Sequence, residues 1–178
     1  MAKIKLPYGK GTAEAVIPDE RLKGVLTCGA HGYHVDKPEG DLIREAMEHP
    51  IGSPRLRELS RGKKNIVLIA SDHTRPVPSR LLFPALLSEI REGNPDAVVT
   101  VLIATGFHRP ATREELAAKF GEEYMDRDDI RFVVHKGYEA GNMVEAGILP
   151  SGGLLKVNRI AAEADLLIAE GFIEPHFF

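Results

Sequence analysis

The sequence predicts an α/β fold, a Rossmann-like layered domain with a mostly parallel sheet and an N-terminal β-hairpin. Three largely apolar runs of strand length lie at 66–70, 97–104 and 164–169, and the second of them is rich in β-branched residues. Helical patterns lie between them, and this alternation is typical of a parallel sheet. Each run passes directly into a polar loop, so we expect the three loops to share the carboxyl edge of the sheet, where such folds bind ligands.

Size and composition are those of an ordinary globular domain. The chain has 178 residues, enough for one domain with a proper core. Its net charge of −3 argues against nucleic acid or an anionic membrane as the main partner. Cys28 is the only cysteine, which excludes an internal disulfide. Without a signal segment or a membrane-length apolar run, we expect a cytoplasmic protein.

The sequence pattern in the first third of the chain predicts a hairpin, a short strand and two helices. A hairpin over 3–17 turns at glycines, and 25–27 is a candidate short strand. Residues 38–48 have a helical apolar face with acids early in the helix. A second helix is predicted through Leu59, with Ser53 as its cap.

A histidine-rich turn follows the candidate strand. Cys28, His31 and His34 have a C-x2-H-x2-H spacing, which could in principle bind a metal. The segment is short and has no fourth ligand nearby, so the interpretation as a polar turn is favoured and no metal site is predicted.

The elements after the central strand follow in regular order. Thr112 and Glu115 form a capping box that starts a helix ending at Gly121. The other predicted elements are a helix from Ser79 or Arg80 to Gly93 with Pro84 near its first turn, a strand at 130–134, a mostly irregular loop at 137–153, a short strand at 154–157 and a helical turn at 158–163.

The loop after the central strand carries a carboxylate and a guanidinium, Asp72 and Arg75. Arginine suits a planar carboxylate or phosphate because its N–H groups form a bidentate fork. The alternative is an internal Asp–Arg pair that only closes the turn. His73, between them, is expected to point the other way and is the weaker candidate.

Two histidines follow the other strands. His108 could act as a general acid or base near neutral pH, or could simply bond backbone at a helix entry. His176 could be oriented by Glu174, or could belong to an unstructured terminus. Two histidines with an anion-binding arginine suit proton removal and return at a substrate that bears a carboxylate, as in a racemase or epimerase, although spacing alone does not establish that reaction. A hydrolase is disfavoured because no G-x-S-x-G motif is present.

Four motifs, in order, resemble those of the lactate racemase family, whose members use a nickel-pincer nucleotide. They are SDHTRP at 71–76, TGFHR at 105–109, LPSGG at 149–153 and EGFIEPHFF at 170–178. The resemblance covers essentially the whole chain and is clearest over 65–178.

The resemblance implies an enzyme that interconverts the stereoisomers of a 2-hydroxy acid. Its cofactor would be the nickel-pincer nucleotide, a pyridinium-3-thioamide-5-thiocarboxylic acid mononucleotide with nickel, which accepts a hydride from the substrate and returns it. By position, His108 and His176 match the two acid/base histidines. Asp72, His73, Thr74 and Arg75 match the loop that contacts the cofactor, and Arg75 would also bind the substrate.

The resemblance also implies parts that the chain lacks. The lysine that tethers the cofactor, the histidine that ligates nickel and a C-terminal domain are absent from the sequence. We therefore expect residues 1–178 to be the N-terminal catalytic domain of a two-domain racemase, truncated in mid-motif and inactive alone. The alternative is a non-catalytic module that binds a small carboxylate or phosphate.

Overall fold

The structure is a computed structural model that describes residues 1–173, except for the side chain of His31. The chain forms two compact units, Met1–Asp36 and Lys37–Phe178. Within the described residues, no helix is long and apolar enough to cross a membrane.

The first unit contains the predicted hairpin. Strands β1 (Ala2–Tyr8) and β2 (Gly11–Ile17) pair antiparallel. Gly9 has a φ of +56° at the turn, a left-handed conformation that favours glycine. The predicted strand at 25–27 is wrong: this segment has no ladder partner, and Leu26 is fully exposed. An apolar run without a neighbouring strand edge does not form a ladder.

The second unit contains a four-stranded parallel sheet in the order β5-β4-β3-β8. This confirms the predicted α/β class. The elements of this unit, in chain order, are α1 (Glu39–Glu48), α2 (Leu56–Leu59), β3 (Asn65–Ser71), α3 (Ser79–Gly93), β4 (Val98–Ala104), α4 (Arg113–Phe120), β5 (Ile130–Val134), β6 (Met143–Ile148), β7 (Leu154–Asn158), α5 (Arg159–Ala162) and β8 (Leu166–Ala169).

The core lies between the sheet and the helices α3 and α4. Phe83 of α3 and Phe120 of α4 are both fully buried, with ring centroids 5.4 Å apart in an edge-to-face arrangement. Leu68 and Val101 of the two central strands are buried in the same cluster. The packing of β3 and β4 against α3 and α4 therefore holds the carboxyl ends of these strands in place.

Three local predictions need correction. Helix α2 begins at Leu56 with Arg55 as its cap, whereas the Ser53 hydroxyl donates to the Pro54 carbonyl. Pro84 lies in the second turn of α3 rather than near the first. The predicted irregular loop at 137–153 contains β6, which pairs antiparallel with β7. A bulge at Gly147 interrupts that ladder, and the glycine-rich sequence conceals the strand.

Candidate functional site

The loops after β3, β4 and β8 meet at the carboxyl edge of the sheet, as expected for adjacent parallel strands. They surround an open cleft of about 520 Å³, a size typical of small-molecule sites. The polar residues lining it are Ser71, Asp72, Arg75, Thr105, His108 and Glu170.

Asp72 organises the turn that follows β3. Its Oδ1 accepts hydrogen bonds from the Thr74 backbone N–H at 3.0 Å and the Thr74 hydroxyl at 2.6 Å. The Arg75 backbone N–H closes the turn by donating to the Asp72 carbonyl at 3.3 Å. Aspartate forms such turns readily because its short side chain reaches the backbone two residues on. Asp72 is only 2% exposed, and these hydrogen bonds hold its carboxylate where the residue lines the cleft.

The second oxygen of Asp72 pairs with His108. Asp72 Oδ2 lies 2.6 Å from His108 Nδ1, while 45% of the histidine side chain is exposed. Burial pushes the pKa of the Asp72 carboxyl upward, but the hydrogen bonds from Thr74 and His108 outweigh it and the pKa lies below its usual value. An ionised carboxylate only accepts hydrogen bonds, so the contact requires a hydrogen on Nδ1. In the tautomer that carries its single hydrogen there, Nε2 keeps its lone pair.

A tight turn after β4 places His108. The His108 backbone N–H donates to the Thr105 carbonyl at 2.9 Å, and Gly106 between them has a φ of +55°. Buried Thr105 donates its hydroxyl to the His135 carbonyl at 2.7 Å, which ties this loop to the end of β5. His108 is therefore held at its backbone by the Thr105 carbonyl and at its imidazole by Asp72.

Two charged residues, Lys119 and Glu170, make further hydrogen bonds at this edge of the sheet. The Lys119 ammonium of α4 donates to Ser71 Oγ at 3.3 Å and to the Arg75 carbonyl at 3.2 Å. Glu170 follows β8 and accepts the Ser79 hydroxyl at 2.6 Å. Burial raises the pKa of the Glu170 carboxyl, against the opposing effects of the Ser79 hydrogen bond and the Lys119 charge.

The structure thus brings three of the predicted residues, Asp72, Arg75 and His108, to one cleft, with Thr74 bonded to Asp72. His73 lies elsewhere: its Nδ1 is 3.8 Å from Glu115 Oε2, and it does not line the cleft. His176 lies outside the described residues, so its place in the site stays a prediction.

Comparison with known proteins identifies the family. The family model for the lactate racemase N-terminal domain matches residues 8–178. The chain belongs to this family.

Two curated relatives support the same family assignment. The chain is 54% identical over 178 residues to the lactate racemase of Thermoanaerobacterium thermosaccharolyticum, and 51% identical to that of Lactiplantibacillus plantarum. In both comparisons all of the chain is covered, but only 41% and 42% of the relative. The chain therefore spans about two fifths of the length of these racemases.

Solved structures agree with the fold. The lactate racemase apoprotein of T. thermosaccharolyticum matches with a TM-score of 0.85 and 52% identity, over 99% of this chain and 40% of that one. A protein from Thermotoga maritima matches with a TM-score of 0.54 over 73% of the chain and 31% of its own, at 19% identity, which supports the fold alone.

Sequence reasoning about this lactate racemase-family domain missed the supporting residues. Lys119 occupies a position in α4 that a helical pattern assigns to the surface, and nothing local in the sequence indicates its bonds to β3. Thr105 belongs to the TGFHR motif, and its place as a polar residue directly after a buried strand is the signal that indicates its role. Among residues 1–173, leaving aside the His31 side chain, which the structure does not describe, no group of three His, Cys, Asp or Glu side chains could hold a metal ion.

Proposed function

We propose that the chain is the N-terminal catalytic domain of an enzyme that interconverts the stereoisomers of a 2-hydroxy acid, with lactate as the first candidate. The observation that carries the proposal is the 2.6 Å contact between buried Asp72 and exposed His108 in a cleft that Arg75 also lines. A binding module needs the arginine, but it has no need for an imidazole whose tautomer is fixed by a buried carboxylate.

His108 is proposed to act on the substrate hydroxyl. Because Asp72 keeps the hydrogen on Nδ1, Nε2 is the atom that takes the hydroxyl proton when C2 is oxidised. The positive charge that develops on the ring is stabilised by the Asp72 carboxylate. The same nitrogen returns the proton when the alcohol forms again. His176 is the proposed partner for the opposite stereoisomer, on the strength of the family resemblance.

Arg75 is proposed to bind the substrate carboxylate. It lines the cleft three residues from Asp72, and the guanidinium fork matches a planar carboxylate in two hydrogen bonds. Fixing the carboxylate at one end and the hydroxyl at His108 orients C2 between them.

The cleft also fits the cofactor that the resemblance implies. Its volume of about 520 Å³ lies within the range of cofactor sites, and the arginine suits a nucleotide phosphate or a thiocarboxylate. Asp72, Thr74 and Arg75 are the residues proposed to contact the nickel-pincer nucleotide; His73 is the weakest member of that set because it lies beside Glu115. When bound, this group supplies the acceptor for the C2 hydride.

The test is an assay of the native protein, expressed from its complete gene and isolated with its cofactor. A single lactate enantiomer should be converted to an equal mixture, measured by chiral chromatography. Arg75→Lys should raise KM roughly tenfold or more, with less effect on kcat, because lysine cannot form the bidentate contact. Arg113→Lys is the matched control, since Arg113 pairs with Glu122 and Asp126 on the surface. Binding of 2-hydroxy acids without any interconversion would overturn the proposal in favour of a binding module.

A further inference from the structure

Lys119 holds both ends of the turn that carries the cleft's charged side chains. Its ammonium reaches from the last turn of α4 to Ser71 Oγ at 3.3 Å and to the Arg75 carbonyl at 3.2 Å. Ser71 is the last residue of β3 and Arg75 closes the turn, so the two contacts bracket residues 72–74.

This placement differs from that of an ordinary lysine in a last helical turn. Such a lysine usually extends into solvent, where it interacts with the helix dipole. Lys119 is instead half-buried, and burial lowers the pKa of its ammonium, while the charges of Glu170 and Asp72 act to raise it. The carboxylates that favour its charged form are thus both residues of the cleft.

We propose that Lys119 is a positioning residue for the cleft, holding the Asp72–Arg75 turn in its binding geometry through Ser71 and the Arg75 carbonyl. The inference rests on the proposed function. With the Arg75 carbonyl fixed, the backbone position from which its side chain enters the cleft is fixed as well. Misplacement of a binding group by about 1 Å is enough to cost roughly a hundredfold in rate, so a contact that never touches substrate can matter.

The first test measures the turn itself. In the native protein, Lys119→Met should make the Thr74 and Arg75 amides exchange with solvent roughly tenfold faster or more, because a hydrogen bond from a charged donor contributes about that factor. The Leu116 and Gly121 amides report on α4, and they should be unchanged. Unchanged exchange at the turn would overturn the proposal. Equal acceleration in α4 would also overturn it, since Lys119 would then only stabilise its helix.

The second test measures substrate handling. Lys119→Met should raise KM for the 2-hydroxy acid, and Lys119→Arg should recover most of the loss because it keeps the charge and the donors. Lys37→Met is the matched control, as Lys37 forms a surface pair with Glu45. If the wild-type protein does not racemise, the proposed function fails while the amide exchange still decides the role of Lys119. If it racemises and Lys119→Met has a normal KM, the positioning role fails alone.

Discussion

Replacing Asp72 by asparagine tests how the cleft controls His108. The amide oxygen can keep both Thr74 bonds now made to Oδ1, at 3.0 and 2.6 Å. The amide nitrogen would stand where Oδ2 now lies, 2.6 Å from His108 Nδ1. Since an amide nitrogen only donates, Nδ1 would have to accept, and the ring hydrogen would move to Nε2. The nitrogen proposed to take the substrate proton would then already be protonated.

The size of the effect follows from the bond that is lost. A hydrogen bond to a charged partner contributes roughly 1.5–3 kcal/mol, which corresponds to about 10- to 150-fold in rate. Asp72 is 2% exposed, so solvent does not replace the lost interaction. We therefore expect kcat for Asp72→Asn to fall by roughly ten- to a hundredfold, with its Thr74 bonds and the fold retained.

The assay is the initial rate of racemisation at saturating 2-hydroxy acid, with cofactor content measured for each variant. Thr74→Val is the matched control: it removes the hydroxyl contacts to Asp72 and His108 but keeps the backbone bond. Its loss should be smaller, about fivefold, as expected for one neutral hydrogen bond. If Asp72→Asn retained more than about a third of wild-type kcat at equal cofactor content, the tautomer argument would be refuted.

Two stability predictions concern carboxylates away from the acid/base pair. Hydrogen bonds, above all those from Arg57, lower the pKa of Glu89 to about 2, although burial of the carboxyl acts to raise it. A pKa shift of this size corresponds to roughly 3 kcal/mol in the free energy of unfolding. Glu89→Gln should therefore lower the free energy of unfolding by about that much at pH 7. The difference from wild type should narrow as the pH falls from about 4.5, where the unfolded chain begins to protonate Glu89, to about 2, where the native state does. Glu92→Gln, at an exposed partner of Arg57, should lower the free energy of unfolding by less than about 1 kcal/mol. Burial raises the pKa of Glu170 in the native state. As the pH rises past the ordinary pKa of glutamate, the unfolded chain therefore loses this proton first, and the free energy of unfolding falls. Glu170→Gln can still accept the hydrogen bond from Ser79, so its melting temperature should rise relative to that of the wild type as the pH goes from acidic to neutral. A difference in melting temperature that does not change with pH would show that burial does not raise the pKa of this carboxyl.

The parallel sheet could be predicted because its two central strands, β3 and β4, are buried over most of their length. Residues 66–70 read as one continuous apolar run, and the sheet places that run at its centre. The capping box at Thr112 likewise marks the start of α4, because cap chemistry is local. By contrast, the formation of β6 depends on its pairing with β7 across a bulge. The sequence of one strand does not indicate which other segment it pairs with.

The site could be predicted in part for the same reason. The order of the chain places Asp72, Arg75 and His108 at strand ends, and the parallel arrangement then brings them together. The pairing of Asp72 with His108 depends on the turn at Gly106 and on the register of β3 against β4, which only the structure shows. The contact from Lys119 depends on how α4 packs, a tertiary property that a helical pattern does not contain.

The most direct test of the acid/base role is the turnover of His108→Gln in the native protein. With cofactor bound and lactate saturating, kcat should fall by about a hundredfold or more, since a positioned acid/base contributes roughly 10²–10⁴ to rate. His49→Gln, an exposed residue after α1, should match wild type. Loss of turnover with lactate binding retained would support His108 as the acid/base, whereas turnover above about a tenth of wild type would contradict that role.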